Sequence, residues 1–278
     1  MVVDLDHLRH EMSMLQYMKV KIDSDNLKIS DKATICMPFH VRQDVLEEER
    51  LLEKGAAFGS TRRGIAYAYG DKYMKKTLRM GDLLNLNSIA IKRRLQVILE
   101  SKNLIMENVY GQNPLSFEEL YNWCESQAEY FRNYICDTGK LLNNAAEAGK
   151  NILFEAQLGA LRDIDYGIYP YTSSSNTIAA YAPIGAGIPQ RTPDRVVGVM
   201  KAYSTCVGEG PFAAEDAMPE EWNNKLRNAG GEFGAATGRP RRVGPFDAVA
   251  SRYGIECQGA DDIALTKLDV LSEFDTIP

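Results

Sequence analysis

Apolar side chains recur at helical spacing through the first half of the chain. Leu5, Leu8, Met12 and Leu15 fall on one face of a helix over residues 4–20, and Asp4 stands where an N-cap belongs. His7 and His10 lie beside that stripe at i, i+3. With no third ligand in view they read as part of a solvated face rather than a metal site. Residues 33–37 form a short continuous apolar run, the signature of a buried strand. Residues 41–54 and 86–101 read as charged amphipathic helices. Ser116 followed by Glu119 is a capping box that opens a long helix to about Ala148, with Leu120, Cys124, Phe131 and Ile135 at roughly helical spacing.

The pattern changes from Asn151 onwards. Gly, Pro, Ser and Thr become frequent, and short apolar runs replace long amphipathic ones. Residues 151–155, 196–199 and 262–265 predict strands that end in polar residues, and 246–253 a helix leading toward the last of them. Strands that feed polar loops and then helices predict an α/β sheet, in which ligands gather at the carboxyl ends of the strands. No internal repeat or low-complexity linker interrupts the chain. The expectation is one domain, mainly helical over 1–150 and sheet-forming over 151–278.

Composition narrows the class. A chain of 278 residues holds one large or two ordinary domains at roughly 150 residues each. With 45% hydrophobic and 25% charged residues it falls among soluble globular proteins, which excludes collagen-like, disordered and disulfide-scaffold chains. No apolar run reaches the roughly 18 residues of a membrane span. The first ten residues carry acidic groups where a signal peptide has basic ones. The 32 Lys and Arg against 38 Asp and Glu leave a net charge of −6, which argues against a nucleic-acid partner. Five cysteines, with no CxxC and three histidines in all, support neither a zinc site nor a disulfide framework. Buried reduced thiols in a cytoplasmic protein are the expectation.

Four segments could carry chemistry. Ala264-Leu265-Thr266-Lys267-Leu268-Asp269 ends an apolar strand in T-K-x-D. A carboxylate there accepts two hydrogen bonds, from guanine N1–H and its exocyclic amine, while the lysine stem lies along the base. Adenine offers no donor at N1 and would strand the carboxylate, which costs kilocalories. An exposed lysine followed by an aspartate cap is the alternative. In the segment from Gly234 to Arg242, the arginines Arg239, Arg241 and Arg242 crowd together after a small flexible loop. Their guanidinium groups suit carboxylate or phosphate, or else surface salt bridges. Gly59-Ser60-Thr61-Arg62-Arg63-Gly64 offers an oxyanion cradle or an ordinary turn. Lys72, Lys75, Lys76 and Arg79 follow it. Finally, Phe154 to Thr177 empties a strand into amides and hydroxyls that suit sugar or base edges. Asp163 and Asp165 within it would share one side of a strand, and they read as structural. A phosphate loop of the form GxxxxGK[ST] is absent from the 278 residues.

In this order, the segments resemble the adenylosuccinate synthetase (IMP–aspartate ligase) family over nearly the whole chain. The resemblance is densest at NILFEAQLGALRDIDYGIYPYTSSSNT, KAYSTCVGEGPF, GGEFGAATGRPRRVGPFDAVA and LTKLDVL. It implies a P-loop-NTPase-like α/β fold with a central, mostly parallel sheet and a large helical insertion. It also implies GTP-dependent joining of IMP and L-aspartate with Mg²⁺, the first committed step from IMP to AMP. In that chemistry the IMP 6-oxygen is phosphorylated first and the aspartate amine then displaces the phosphate.

Carried over residue by residue, Thr61 matches the threonine that binds the IMP phosphate. Lys75 falls where the family has an arginine reaching the IMP of the partner subunit in a homodimer, and a lysine there lacks the bidentate fork. Ala235, Ala236, Thr237, Gly238, Arg239 and Arg241 match the aspartate-binding loop, with Ala236 departing from a common threonine. Arg239 is shared with the IMP ribose and Arg241 with GTP. Lys267, Leu268 and Asp269 match the guanine-binding segment. Where many members read F-E-G-A-Q-G, this chain reads Phe154-Glu155-Ala156-Gln157-Leu158-Gly159. Leu158 then stands in the register of the IMP-binding glutamine, and Gln157, one position earlier, is expected to supply the amide. Ser173 stands for the following threonine, beside Thr172.

The family's G-D-E-G-K-G-K phosphate loop, with its general base and Mg²⁺ ligand, has no counterpart here, nor does its G-H-T segment with the general acid. His7, His10 and His40 do not match that histidine. The resemblance therefore implies an internal fragment, incomplete at both ends and without catalytic or metal-binding residues of its own. Such a fragment is expected to lack turnover alone and to be poorly soluble. The alternative is a naturally short, non-catalytic form that binds nucleotide or dimerises.

Overall fold

The structure is a computed structural model and describes residues 1–57, 59–156, 158–234, 238 and 240–277. A short strand, β1 (Val2–Asp4), runs straight into helix α1 (Leu5–Tyr17). The Asp4 carboxylate makes that junction by accepting the His7 N–H at 3.0 Å. Leu5 and Met12 of α1 are buried, whereas Leu15 is 40% exposed, so the predicted apolar stripe is buried only along its first turns. Next come β2 (Ile29–Ser30) and β3 (Thr34–Cys36), the latter inside the predicted apolar run and buried at every position. β3 pairs in parallel with β1. Pro38 starts α2 (Pro38–Glu53), where its missing N–H costs nothing. Helices α3 (Ile65–Met74), α4 (Met80–Leu83), α5 (Ile89–Asn108) and α6 (Phe117–Phe131) follow.

The long helix expected from Ser116 to Ala148 is two helices. Ser116 does cap α6, accepting the Glu119 N–H. Beyond Phe131 the chain tightens into one 3₁₀ turn and then forms β4 (Ile135–Cys136), parallel to β2 with Ile29 opposite Ile135. Asp137 then caps α7 (Thr138–Glu147) by accepting the Lys140 N–H. Ile135 keeps helical spacing with Phe131, but its backbone is claimed by strand pairing, which periodicity does not register. The core of this part gathers Leu5, Ile35, Phe39, Leu95, Leu120 and Phe131 with 13 further buried apolar side chains. Burial pushes the Cys36 and Cys124 thiols up to about 12, so both stay protonated.

The second half carries α8 (Tyr181–Ala186), β5 (Val197–Lys201), β6 (Ser204–Cys206), α9 (Glu220–Gly230), β7 (Arg242–Gly244), α10 (Ala248–Gln258) and β8 (Asp262–Thr266). β5 and β8 are parallel, with Lys201 opposite Thr266, and β6 and β7 are antiparallel. The fold is thus α/β, with three parallel strand pairs and one antiparallel pair among the described residues. The predicted strand at 151–155 does not form: these residues are coil, Leu153 is 94% exposed, and no strand pairs with them among the described residues. The chain divides into two compact units close to that point. One is Met1–Leu153 with Gly185–Pro189; the other is Phe154–Ile184 with Gln190–Pro278. The core of the second unit is the smaller, built on Ala202, Tyr203, Leu226, Val243, Val270 and Leu271.

Candidate nucleotide and aspartate site

In the first unit the loop 59–64 is shaped by two buried carboxylates one turn apart on α2. Glu48 accepts the N–H of Gly59 at 2.7 Å and of Ser60 at 3.1 Å. Asp44 accepts the Ser60 hydroxyl at 2.7 Å and the Gly64 N–H at 2.8 Å. These donors are therefore directed inward, so of the two readings of this loop, an oxyanion cradle or an ordinary turn, a cradle would not use the backbone N–H of Gly59, Ser60 or Gly64. Thr61 is left exposed at the tip. Gly64 is at φ 73°, and a Cβ there would lie 2.6 Å from the Val41 nitrogen, so only glycine allows the loop to press on the start of α2.

Beneath the same turn lies a buried polar cluster. The Met37 N–H donates to His40 Nδ1 at 2.9 Å, which puts the ring proton on Nε2, 2.9 Å from Asp71 Oδ2. Lys102 Nζ reaches the same carboxylate oxygen at 2.6 Å. Burial lowers the His40 pKa despite Asp71. Burial also raises that of Asp71, but the bonds from His40 and Lys102 outweigh it and hold the carboxyl below its usual range. His40 is thus a helix-capping group with both nitrogens engaged. His7 and His10 are exposed on α1, and His7 is 3.4 Å from Glu11.

Lys75 is the C-cap of α3, exposed and at φ 62°. The ten residues of α3 put it roughly 15 Å along the helix from the Thr61 loop. It borders an open groove of about 760 Å³ that Lys76, Arg93 and Arg94 also line, over Ile89 and Val97.

In the second unit Asp163 is fully buried, and it is not in a strand with Asp165. It ends a 3₁₀ turn and accepts the N–H of Thr177 at 2.6 Å, Asp165 at 2.9 Å and Tyr166 at 3.1 Å. Burial pushes its carboxyl up, but these donors pull it below the usual range, as suits a loop organiser. Ser173, in the loop so organised, is half-buried with its Oγ 2.9 Å from Ser175 Oγ. Leu158 is 58% exposed at φ 76°. Gln157, Ala235, Ala236, Thr237 and Arg239 lie outside the described residues. Gly238 is exposed at φ 64°.

Two of the three clustered arginines are tied to carboxylates: Arg241 Nη1 is 2.9 Å from Glu232, and Arg242 Nε is 2.6 Å from Glu215. The T-K-x-D segment sits at the carboxyl end of parallel strand β8. Lys267 Nζ donates to the Gly230 carbonyl at 3.1 Å, and the Asp269 side chain is exposed at the start of a 3₁₀ turn. Among the described residues no cluster of three or more His, Cys, Asp or Glu could hold a metal ion. No helix is long and apolar enough to cross a membrane.

The family profile of adenylosuccinate synthetase matches residues 1–278. The chain belongs to that family. Relatives of this name from Caldanaerobacter subterraneus subsp. tengcongensis and Carboxydothermus hydrogenoformans are 42% and 44% identical to it, and each alignment covers 99% of this chain and 63% of the relative. One from Geobacter sulfurreducens is 44% identical over 92% of this chain and 58% of its own length. The chain therefore spans about 63% of the length of the first two of these relatives. The fully ligated adenylosuccinate synthetase from Plasmodium falciparum superposes with a TM-score of 0.87 at 32% identity, over 98% of this chain and 61% of that one. A cyanophage S-2L succinoaminodeoxyadenylate synthetase bound to dGMP and dATP, at TM-score 0.57 and 18% identity, shares the fold.

Sequence reasoning missed Asp44, Glu48, Lys201, Tyr203 and Glu232, the groups that hold the candidate site residues. Glu232 stood inside the quoted GGEFG segment, yet nothing in its local pattern marked it as buried. Asp44 and Glu48 look like any charged pair at i, i+4 on an amphipathic helix.

Proposed function

We propose that this chain serves the GTP-dependent ligation of IMP and L-aspartate to adenylosuccinate, and that it contributes binding groups rather than the proton-transfer groups. The observation that carries this is the placing of Lys267, Leu268 and Asp269 at the carboxyl end of a parallel strand, in a chain that matches the family along its whole length. The exposed Asp269 presents two acceptors for guanine. Thr61 and Ser173 serve IMP, together with Gln157 and Arg239. Lys75 is displaced along α3 from its own Thr61 loop, which suits reaching the IMP of a partner subunit in a homodimer. Gly238 and Arg241 serve L-aspartate with Ala235, Ala236, Thr237 and Arg239, and Arg241 also serves GTP. Mg²⁺ would neutralise phosphate charge in this reaction; the described residues offer it no ligand cluster, and no step is routed through it. His40 is buried with both nitrogens bonded, and no phosphate loop lies in the 278 residues, so the chain alone lacks turnover.

The test is base selectivity. Isothermal titration of GDP and ADP into the chain is expected to show GDP at least tenfold tighter, since adenine leaves the Asp269 carboxylate unpaired. Asp269→Asn replaces one acceptor by a donor, so guanine should lose roughly tenfold or more while xanthosine diphosphate, with a carbonyl at that position, gains. Unchanged selectivity in the variant would refute the guanine assignment.

A further inference from the structure

The Glu232 side chain is 2% exposed, yet its carboxylate gathers three donors, two from the segment that leaves β5 and one from the residue before β7. Lys201 Nζ at the end of β5 lies 2.7 Å from Oε1 and 2.8 Å from Oε2. The Tyr203 hydroxyl donates to Oε1 at 2.5 Å, and Arg241 Nη1 donates to Oε2 at 2.9 Å. A carboxylate carrying one charge thus sits between two cations, and all its strong acceptor positions are used. Burial pushes its pKa up, but Lys201, Tyr203 and Arg241 outweigh burial and keep it ionised.

The backbone repeats the connection. The Glu232 carbonyl accepts the Arg241 N–H at 2.9 Å, and Phe233 and Pro240 form an antiparallel bridge next to it. Glu232 and Arg241 are therefore the two posts of the neck from which the segment 234–239 leaves and returns. The network extends to the guanine segment: Lys267 bonds the Gly230 carbonyl, and a Cβ at Gly230 would lie 2.5 Å from the Tyr203 hydroxyl that Glu232 holds. Only glycine admits that approach. Arg241 also has one buried donor to spare. Among the described residues its Nε has no hydrogen-bond partner, so Glu232 occupies one side of the guanidinium and leaves another unsatisfied.

We propose that Glu232 is a positioning residue that holds the Arg241 guanidinium in place and closes the neck of the 234–239 segment. This rests on the reading of that segment as the aspartate loop only for its meaning in binding; the positioning itself is a property of the chain. A surface salt bridge would confer little of this, but here the anion is buried and its two cations come from places 40 residues apart in the chain, Lys201 at the end of β5 and Arg241 just before β7, so removing the charge leaves both without their shared partner.

The experiment is hydrogen–deuterium exchange on the 278-residue chain without ligand, comparing the wild type with Glu232→Gln. The Arg241 and Gly238 amides are expected to exchange at least tenfold faster in the variant, while amides of β8 and α10 keep their rates. The Arg241 Nε–H resonance should broaden or shift in the ¹⁵N spectrum. Unchanged exchange at Arg241, or a uniform rise across the second unit, would overturn the proposal. If Glu232→Gln fails to fold, Tyr203→Phe removes one donor from the same carboxylate without altering charge. A threefold or greater acceleration confined to the neck supports the role, and none refutes it. Titration of L-aspartate into the same samples answers the other question. A wild type that shows the exchange pattern but binds no aspartate overturns the assignment of the loop and leaves the role of Glu232 standing.

Discussion

His40 illustrates how much of this protein turns on single buried groups. Its ring accepts from the Met37 N–H and gives its proton to Asp71, which Lys102 also grips. Because burial lowers its pKa, the folded ring stays neutral below about pH 6.5, where an unfolded histidine takes up a proton. The unfolded state therefore binds more protons in that window, and stability falls as pH falls, by up to about 1.4 kcal/mol per unit until His40 itself protonates. Asp71, held below the usual carboxylate range, adds a loss in the same direction below about pH 4. Urea midpoints should thus be lower at pH 5.5 than at 7.5, with the difference reduced in His40→Gln; equal midpoints in the wild type would contradict this. At this scale the sequence displays the groups whose chemistry is intrinsic. Asp269, two residues after Lys267, offers two acceptor oxygens whatever surrounds it. Asp44, Glu48 and Glu232 are recognisable only once their donors are in place, because a carboxylate on a helix or loop looks the same whether buried or solvated.

Elements were legible where local and tertiary preferences agree. Asp4 and Ser116 cap the helices that follow them, β3 lies within its predicted apolar run, β8 covers its predicted run and one residue more, and α10 overlaps its predicted range. Where they disagree, the tertiary term wins. Phe131 and Ile135 keep helical spacing, yet β4 is drawn into a parallel pair with β2, and Asp137 restarts a helix immediately after. Residues 151–155 have a strand's composition but pair with no strand among the described residues, and are coil. The end of α6 matters to the core: Phe131 is fully buried, so Phe131→Ala should cost about 3–5 kcal/mol in denaturant unfolding. Leu15 belongs to an equally convincing stripe but is 40% exposed, and Leu15→Ala should stay within about 0.5 kcal/mol. Comparable losses for the two would show that the α1 stripe is buried after all.

For the molecule as a whole, family membership is written along the entire sequence, while the chain covers about 63% of the relatives it matches. The 278 residues include candidate groups for IMP, aspartate and guanine, but each histidine is either solvated or engaged in structure. Mixing the purified chain with IMP, GTP, L-aspartate and Mg²⁺ should therefore yield no adenylosuccinate absorbance above a protein-free control. GTP- and aspartate-dependent product would overturn the reading of the chain as lacking proton-transfer groups. The sequence by itself determined the family, the α/β class and the order of candidate binding segments, because these are carried by residue types whose functional groups keep their chemistry in any setting. Tertiary structure decided which charges are buried and what they hold. The donors that make burial affordable come from far along the chain, 11 residues away for Gly59 on Glu48 and 31 for Lys201 on Glu232. No local pattern contains both halves of such a bond.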